Sequence, residues 1–578
     1  MLVAPCTLPS IAELAPDRGC FVGAAEDRCE IFAWDLARGT ARRVTDRPGL
    51  GTDVADVEPG GEFLWWFDDD PAGRGTWRIQ PWAGGPDTPA LADTAPALNA
   101  GLAMAADGTA AIGLIDERGF SVHLRTPDGQ THTVLTAAGG GELIDVSPDG
   151  SLLVVEQETA VRVLDCSGTA VGELPGPLWS PGFRPTAGPP LLLLLAETDD
   201  GYGLWTWTRN EGQRSVDWCR FESEASASWT SDGRVLVRHD RNGRSDLFLL
   251  DLQRRRRVTL PVPSGTVLDA RMQPGDDLHL VRTDTTTPPA LWTSSGRRPP
   301  GAPDLPPLEL PMTLGDRWTA GPDGRIHTLF TAPADRPPPW PTVFLVHGGP
   351  FQQDRDAYDP AVVLLTASGF AVARVNYRGS TGYGPAWRNA FTAGVGLPQV
   401  ADLAAVRADL VGEGLADPAR TGLAGWSWGG YLTLLALGTQ PEMWQAGAAA
   451  YPVADSVAAF RAGTPALRSL DTRLFRGTPD EQPHRYAQAS PMTYVDAVRA
   501  PVLLVAGSSD VRCPPEQVRR YAQALRARGH TPELLEVDTG HDSRLAEEQA
   551  TVLTAVVSFL GAHLGGTRLD GHIDARAV

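Results

Sequence analysis

Seven short polar turns punctuate the first half of the chain at intervals of 37 to 48 residues, and a strand-like apolar run follows each. The turns are APDRG at Pro16, EPGGE at Pro59, AADGT at Asp107, SPDGS at Pro148, FRPTAGPP at Pro185, TSDGR at Asp232 and QPGDD at Pro274. Each unit also holds a second apolar phrase, such as Glu30-Ile-Phe-Ala-Trp34, Ser121-Val-His-Leu124 or Asp246-Leu-Phe-Leu-Leu250. A period near forty, all strand, with Gly/Asp turns is the signature of propeller blades. One four-stranded blade cannot bury both faces alone, so adjacent blades must pack on each other in a closed ring. Tandem β-sandwiches would instead show strands at about 8–12-residue spacing without the longer repeat. The spacing therefore predicts a seven-bladed β-propeller over residues 1–310. The run Arg254 to Arg257 falls in an inter-strand turn of the sixth unit and reads as a solvated loop.

Proline crowds RRPPGAPDLPPLELP at 297–311, removing backbone donors and enforcing an extended path, as a domain linker would. Beyond residue 340 the texture becomes an alternation of buried strands (342–346, 371–375, 421–425, 447–450, 502–506, 532–537) with amphipathic stretches (398–414, 429–440, 514–528, 544–563). Such alternation calls for a doubly wound, mostly parallel sheet covered by helices, an α/β-hydrolase-type domain over 311–578. Ligands of these sheets bind beyond the carboxyl ends of the strands.

Composition removes whole classes of chemistry. All fifty basic residues are arginine, so Schiff-base, P-loop and kinase lysines are excluded. A net charge of −20 repels nucleic acid and anionic membranes, and neither is an expected partner. No basic leader with an apolar core opens the sequence, and no apolar run is long enough to span a bilayer. Cys6, Cys20, Cys29, Cys166, Cys219 and Cys513 are scattered without CxxC or Cys/His clustering, so neither a disulfide framework nor a metal site is expected. A reducing cytoplasm is the expected location.

Gly425-Trp-Ser-Trp-Gly429 follows one strand and opens a helix, the G-x-S-x-G nucleophile-elbow pattern that would project the Ser427 hydroxyl above the sheet. By itself the pattern is weak, and a serine nucleophile also needs a base and an orienter. Asp510 follows strand 502–506, and His541 follows strand 532–537, both after the serine and in the hydrolase order Ser, acid, His. Asp538 and Asp542 are alternative acids with less suitable positions. Oxyanion donors would be the backbone N–H of Trp428 and the loop His347-Gly-Gly-Pro350, in which Gly349 admits close approach. His347 reads as a support of that loop. This chemistry needs no cofactor.

HGGP at 347–350, NYRGSTGYG at 376–384, GLADPARTGLAGWSWGGY at 414–431 and SPMTYVDAVRAPVLLVAGSSDVRCPPEQ at 490–517, with the later GHD, resemble the prolyl oligopeptidase family, acylaminoacyl-peptidase branch. The resemblance implies a serine peptidase whose propeller restricts the substrate to short peptides, and it implies a homo-oligomer. It puts Ser427, Asp510 and His541 on the triad positions, Gly349 and Trp428 on the oxyanion donors, and Arg512 on a substrate carbonyl. Cys513 departs from the branch, which usually has valine there. Arg461, Arg468, Arg473, Arg476 and Arg485 make the segment before Pro491 more basic than in the branch. If Arg461, Arg468 and Arg473 faced the substrate they would suit a free C-terminal carboxylate. Release of N-acylated residues is thus expected, with carboxypeptidase-like or esterase activity as alternatives. Trp387, Phe391, Phe460 and Phe475 are candidate pocket walls.

Overall fold

Leu152 and Leu153 are neighbours in sequence, yet their side chains join different cores: Leu153 and Val155 pack with Phe120 and Val122, Leu152 and Val154 with Leu192 and Leu194. Successive residues of a strand point to opposite faces, so a strand apolar at every position must lie in a sheet covered on both sides. The computed structural model describes residues 7–25, 28–47, 51–70, 73–92, 94–157, 160–302, 307–391, 393–541 and 546–566. Cys6, Asp542 and the tail from Thr567 lie outside them. The chain divides into two compact units. Among the described residues, one holds 7–283 and 289–302; the other holds 284–288 and those from 307 to 566.

The first unit is a β-propeller of antiparallel meanders. Strand Leu152–Gln157 pairs with Ala160–Asp165 in unbroken register from Leu152↔Asp165 to Gln157↔Ala160. Six apolar clusters each draw on two consecutive meanders, from Ile31 against Leu64 at one end to Leu247 against Leu280 at the other. At the far end of the series Gln273 Nε2 donates to Pro9 O at 2.9 Å, joining the last strands to the first segment.

The expected seven separate sheets need correcting. Among the described residues this unit has six: four of four strands, one of eight and one of three. The eight-stranded sheet arises because Arg74 and Gly75 pair with Leu98 and Ala97, fusing two meanders edge to edge. Nor is the arginine run all turn. Strand Arg256–Thr259 includes half of it, and the Arg257 guanidinium lies 3.7 Å from the Phe248 ring centroid, a cation–π contact.

The second unit is built on one sheet of eight strands, in the order Met312–Gly321, Gly324–Pro333, Ala371–Asn376, Trp340–Val346, Ala416–Trp426, Ala446–Ala450, Val502–Gly507, Glu533–Val537. The first two form an antiparallel hairpin, and from Ala371–Asn376 onward all neighbours run parallel. One face carries helices Leu397–Gly412, Trp428–Thr439 and Pro515–Arg526; the other packs on Pro360–Ala367 and Ala546–Leu564. In Pro515–Arg526 the buried apolar side chains are Val518, Tyr521, Ala522 and Leu525, one stripe at helical spacing, with Gln517 buried beside them. The opening hairpin and the short helices Ser456–Ala462, Pro465–Phe475 and Pro483–Ala489 have no counterpart in the sequence reading. No helix among the described residues is long and apolar enough to cross a membrane.

Candidate active site

Strand Ala416–Trp426 delivers the chain to Ser427, and helix Trp428–Thr439 begins at the next residue. No loop separates them, so the backbone must reverse within one residue. Ser427 has φ 54° and ψ −117°, a left-handed conformation that costs about 1–3 kcal/mol in a non-glycine residue. Neighbouring backbone holds it there: Ser427 N–H donates to Ala450 O at 2.9 Å, and Tyr431 N–H donates to Ser427 O at 2.9 Å. The turn is tight enough that a Cβ at Gly429 would sit 1.9 Å from Val346 O. Glycine is required there by space alone.

Parallel order in the sheet brings two more side chains to the same end. Asp510 follows strand Val502–Gly507, and His541 follows its neighbour Glu533–Val537. His541 Nδ1 donates to Asp510 Oδ2 at 2.8 Å, and both side chains are buried. Asp510 Oδ1 accepts the backbone N–H groups of Arg512 and Cys513, each at 2.8 Å. With both oxygens fixed, the carboxylate fixes the imidazole, leaving Nε2 as the nitrogen open to a proton from elsewhere. Tyr451, whose backbone is left-handed at φ 49°, holds its ring 5.9 Å from the imidazole centroid. The Cys513 thiol lies in hydrogen-bonding range of the Ser427 side chain, and burial pushes its pKa well above the usual thiol range.

The loop after strand Trp340–Val346 passes the serine: a Cβ on Gly348 would be 3.7 Å from Ser427 Cβ. Gly349 follows with φ 130°. Trp428 is the first residue of its helix, where the backbone N–H has no intrahelical acceptor. His347 anchors the loop. Its Nδ1 donates to Gly348 O at 2.7 Å, its Nε2 lies 2.8 Å from Ser380 Oγ, and its ring stacks on Tyr377 at 4.3 Å. Tyr377 O–H also donates to His347 O at 2.8 Å. Burial lowers the His347 pKa to about 4, so the imidazole is neutral near neutral pH.

These contacts give the stretch 376–384 a physical role that its sequence alone did not reveal. Asn376 Nδ2 donates to Asp354 O at 3.1 Å and its Oδ1 accepts Asp354 N–H at 2.8 Å, closing the far end of the loop. Arg378 grips Asp402 on helix Leu397–Gly412 through two side-chain bonds of 2.9 and 2.6 Å, and also pairs with Asp323. The signal was present as paired Asn, Tyr, Arg and Ser in one motif, but their partners lie far away in sequence.

The arginines are placed differently from the candidates around Ser427. Arg512 is exposed two residues beyond Asp510. Arg461 is exposed and lies 3.8 Å from Asp480, while Arg468 and Arg473 sit on the solvent side of helix Pro465–Phe475. The inner stripe of that helix holds Leu470, Asp471, Leu474 and Phe475. Burial pushes the Asp471 carboxyl up to about 6. Phe391, Phe475, Tyr486 and Leu474 belong to an apolar cluster against which Trp428 and Phe460 pack. Trp387 is not part of it: its indole donates to Tyr377 O at 3.1 Å and its ring joins the main core.

Comparison with known proteins adds to this geometry. The sequence profile described as "Prolyl oligopeptidase family" matches residues 357–567. The chain is 32% identical over 232 residues to an acylamino-acid-releasing enzyme of Rattus norvegicus, covering 39% of this chain and 32% of that one. It is 30% identical over 235 residues to dipeptidyl peptidase family member 6 of Caenorhabditis elegans, again covering 39% and 32%. The alignments thus span about a third of the length of these curated relatives. Whole-chain likeness is found among solved structures. A puromycin hydrolase mutant complexed with PGG superimposes with TM-score 0.80 at 22% identity, covering 97% of this chain and 95% of that one. The Pyrococcus horikoshii acylaminoacyl peptidase gives 0.76 at 16% identity, covering 99% and 97%. At those identities the likeness concerns the fold.

Proposed function

We propose, from the premise that residues 357–567 belong to the prolyl oligopeptidase family, that this chain is a serine peptidase that releases acylated residues from short peptides. The observation that carries the reading is the 2.8 Å contact between His541 and Asp510 at one sheet end, the end at which the left-handed elbow presents Ser427. In this mechanism Ser427 Oγ attacks the scissile carbonyl while His541 Nε2 accepts its proton. Asp510 holds the imidazole and stabilises the imidazolium that forms. The oxyanion is met by the N–H of Trp428 and of the loop at Gly348 and Gly349, each such donor being worth about 3 kcal/mol in the transition state. His541 then returns the proton to the leaving amine, and water repeats the cycle on the acyl-enzyme.

In this reading the propeller has seven blades. Six clusters, each between consecutive meanders, support that count, with the eight-stranded sheet serving as two blades and the three-stranded one as the last. Trp428, Phe460, Phe475 and Phe391 would receive the apolar part of the residue before the cut. Arg512 would hold a substrate carbonyl. Capture of a free C-terminal carboxylate gains no support from the solvent-facing positions of Arg461, Arg468 and Arg473. Digestion of a peptide set with free, acetylated and amidated ends, read by mass spectrometry, tests the assignment. Preferred release of the acetylated first residue is expected. Cleavage that requires a free C-terminus would overturn it in favour of the carboxypeptidase reading.

A further inference from the structure

The six cysteines are scattered in sequence, yet the fold brings one of them into the group built on Ser427. The turn after strand Val502–Gly507 curls so that Asp510 Oδ1 accepts the Cys513 N–H at 2.8 Å, which sets the thiol beside the carboxylate. His541 arrives from the neighbouring strand. The Cys513 sulfur, a ring nitrogen of His541 and a carboxylate oxygen of Asp510 then all lie within 4.8 Å of one another, and all three residues are buried. The Cys513 thiol is also within reach of the Ser427 side chain.

We propose that Cys513, His541 and Asp510 form a binding site for a thiophilic divalent cation of the zinc class, and that an ion seated there blocks acyl transfer. Zinc is held by sulfur at about 2.3 Å and by imidazole nitrogen at about 2.0 Å, so tetrahedral ligand atoms stand about 3.5 Å apart. Closing the set from its present spread takes side-chain shifts of about 1 Å. The fourth ligand would be a water or the Ser427 hydroxyl, which the Cys513 thiol already reaches. One thiolate, one imidazole and one carboxylate select zinc or cadmium over magnesium and calcium, which prefer all-oxygen sites. Binding displaces two protons: the thiol proton leaves to solvent, and the His541 Nδ1 proton now held against Asp510 Oδ2 is given up as Nδ1 becomes the ligand, the ring carrying its proton on Nε2 instead. With the proton on Nε2, the imidazole has no free electron pair to accept the Ser427 proton, and acyl transfer stops. A net charge of −20 raises the local concentration of cations around the whole chain.

The inhibition rests on the peptidase reading; the binding does not. The full-length chain is freed of metal with a chelator, then assayed at graded free Zn2+, with bound zinc measured in parallel by equilibrium dialysis. One zinc per chain is expected, with loss of hydrolysis that magnesium does not reproduce and that dipicolinate reverses. Relative to its own metal-free rate, Cys513→Val should need at least about tenfold more zinc for half-inhibition and should lose the bound equivalent. Ser427→Ala should keep it. Equal zinc sensitivity in Cys513→Val, or no bound zinc in the unmodified chain, overturns the site. Should Cys513→Val not fold, cobalt(II) bound to the unmodified chain must show thiolate-to-cobalt charge-transfer absorption, and its absence overturns the proposal equally. A chain that binds zinc through Cys513 but hydrolyses nothing would leave the site standing and sink the peptidase reading instead.

Discussion

His541 Nδ1 donates to Asp510 Oδ2 at 2.8 Å, and the other oxygen of that carboxylate is already taken by two backbone N–H groups. The acid is therefore held by the turn that carries it, and the base is held by the acid. Asp510→Asn would keep the shape but present an amide N–H where the imidazole needs an acceptor, favouring the wrong tautomer. The expected result is a fall in kcat of about 10⁴ with little change in KM, measured on an N-acyl amino-acid anilide.

The elbow makes a prediction about space. Gly429→Ala would place a Cβ 1.9 Å from Val346 O, a backbone atom in a central strand that cannot retreat. Destabilisation of roughly 3 kcal/mol or more is expected, with loss of activity. Gly412, at the end of helix Leu397–Gly412, would meet nothing within 4 Å. Gly412→Ala should therefore be neutral or stabilising by roughly 0.5–1 kcal/mol. Denaturant melts of the two variants check both.

The loop at residues 347–354 should respond to pH through Asp354. Burial pushes its carboxyl up to about 7, and its Oδ2 is buried with no hydrogen-bond partner. A folded-state value above the unfolded one means that the native chain holds the proton more tightly. The associated stability is present below about pH 4 and is lost as pH rises to about 7. Asp354→Asn removes this titration, so its stability relative to the unmodified chain should rise across that window. The gain should level off above it at about 2–4 kcal/mol. Melting temperatures at pH 4, 6 and 8 give the comparison; a constant offset would contradict it.

Tyr377 should act on catalysis through the loop rather than through substrate. Tyr377→Phe removes the hydroxyl that donates to His347 O, leaving a carbonyl without that partner at a cost of about 1–3 kcal/mol. Because the loop carries Gly348 and Gly349, kcat should fall more than KM rises. A change in KM alone would mean that the loop position is set elsewhere.

Legibility in the sequence followed the range of the interaction. Leu152-Leu-Val-Val155 reads as a strand covered on both faces because period-two burial is local, and the elbow is legible because its serine and glycines are adjacent. The fusion of two meanders rests on Arg74 and Gly75 pairing with Leu98 and Ala97, two residues on each side with no signature of their own. The hairpin strand Met312–Gly321 carries no strand signature in the sequence because it is charged and half-exposed, without a buried apolar run. Helices between residues 456 and 489 are each too short to show a firm period. Cys513 reads as a small apolar substitute for valine, because its distance from His541 depends on which strand lies beside Val502–Gly507. The roles of Tyr377, Ser380 and Arg378 were hidden for the same reason.

The central claim is that Ser427 is the nucleophile of this site, and active-site labelling tests it most directly. The unmodified chain and Ser427→Ala are treated with a fluorophosphonate, digested and mapped by mass spectrometry, with peptide hydrolysis measured on the same samples. The account predicts one adduct on the peptide containing Ser427, loss of hydrolysis in step with labelling, and neither adduct nor hydrolysis in Ser427→Ala. Undiminished hydrolysis by Ser427→Ala would contradict it.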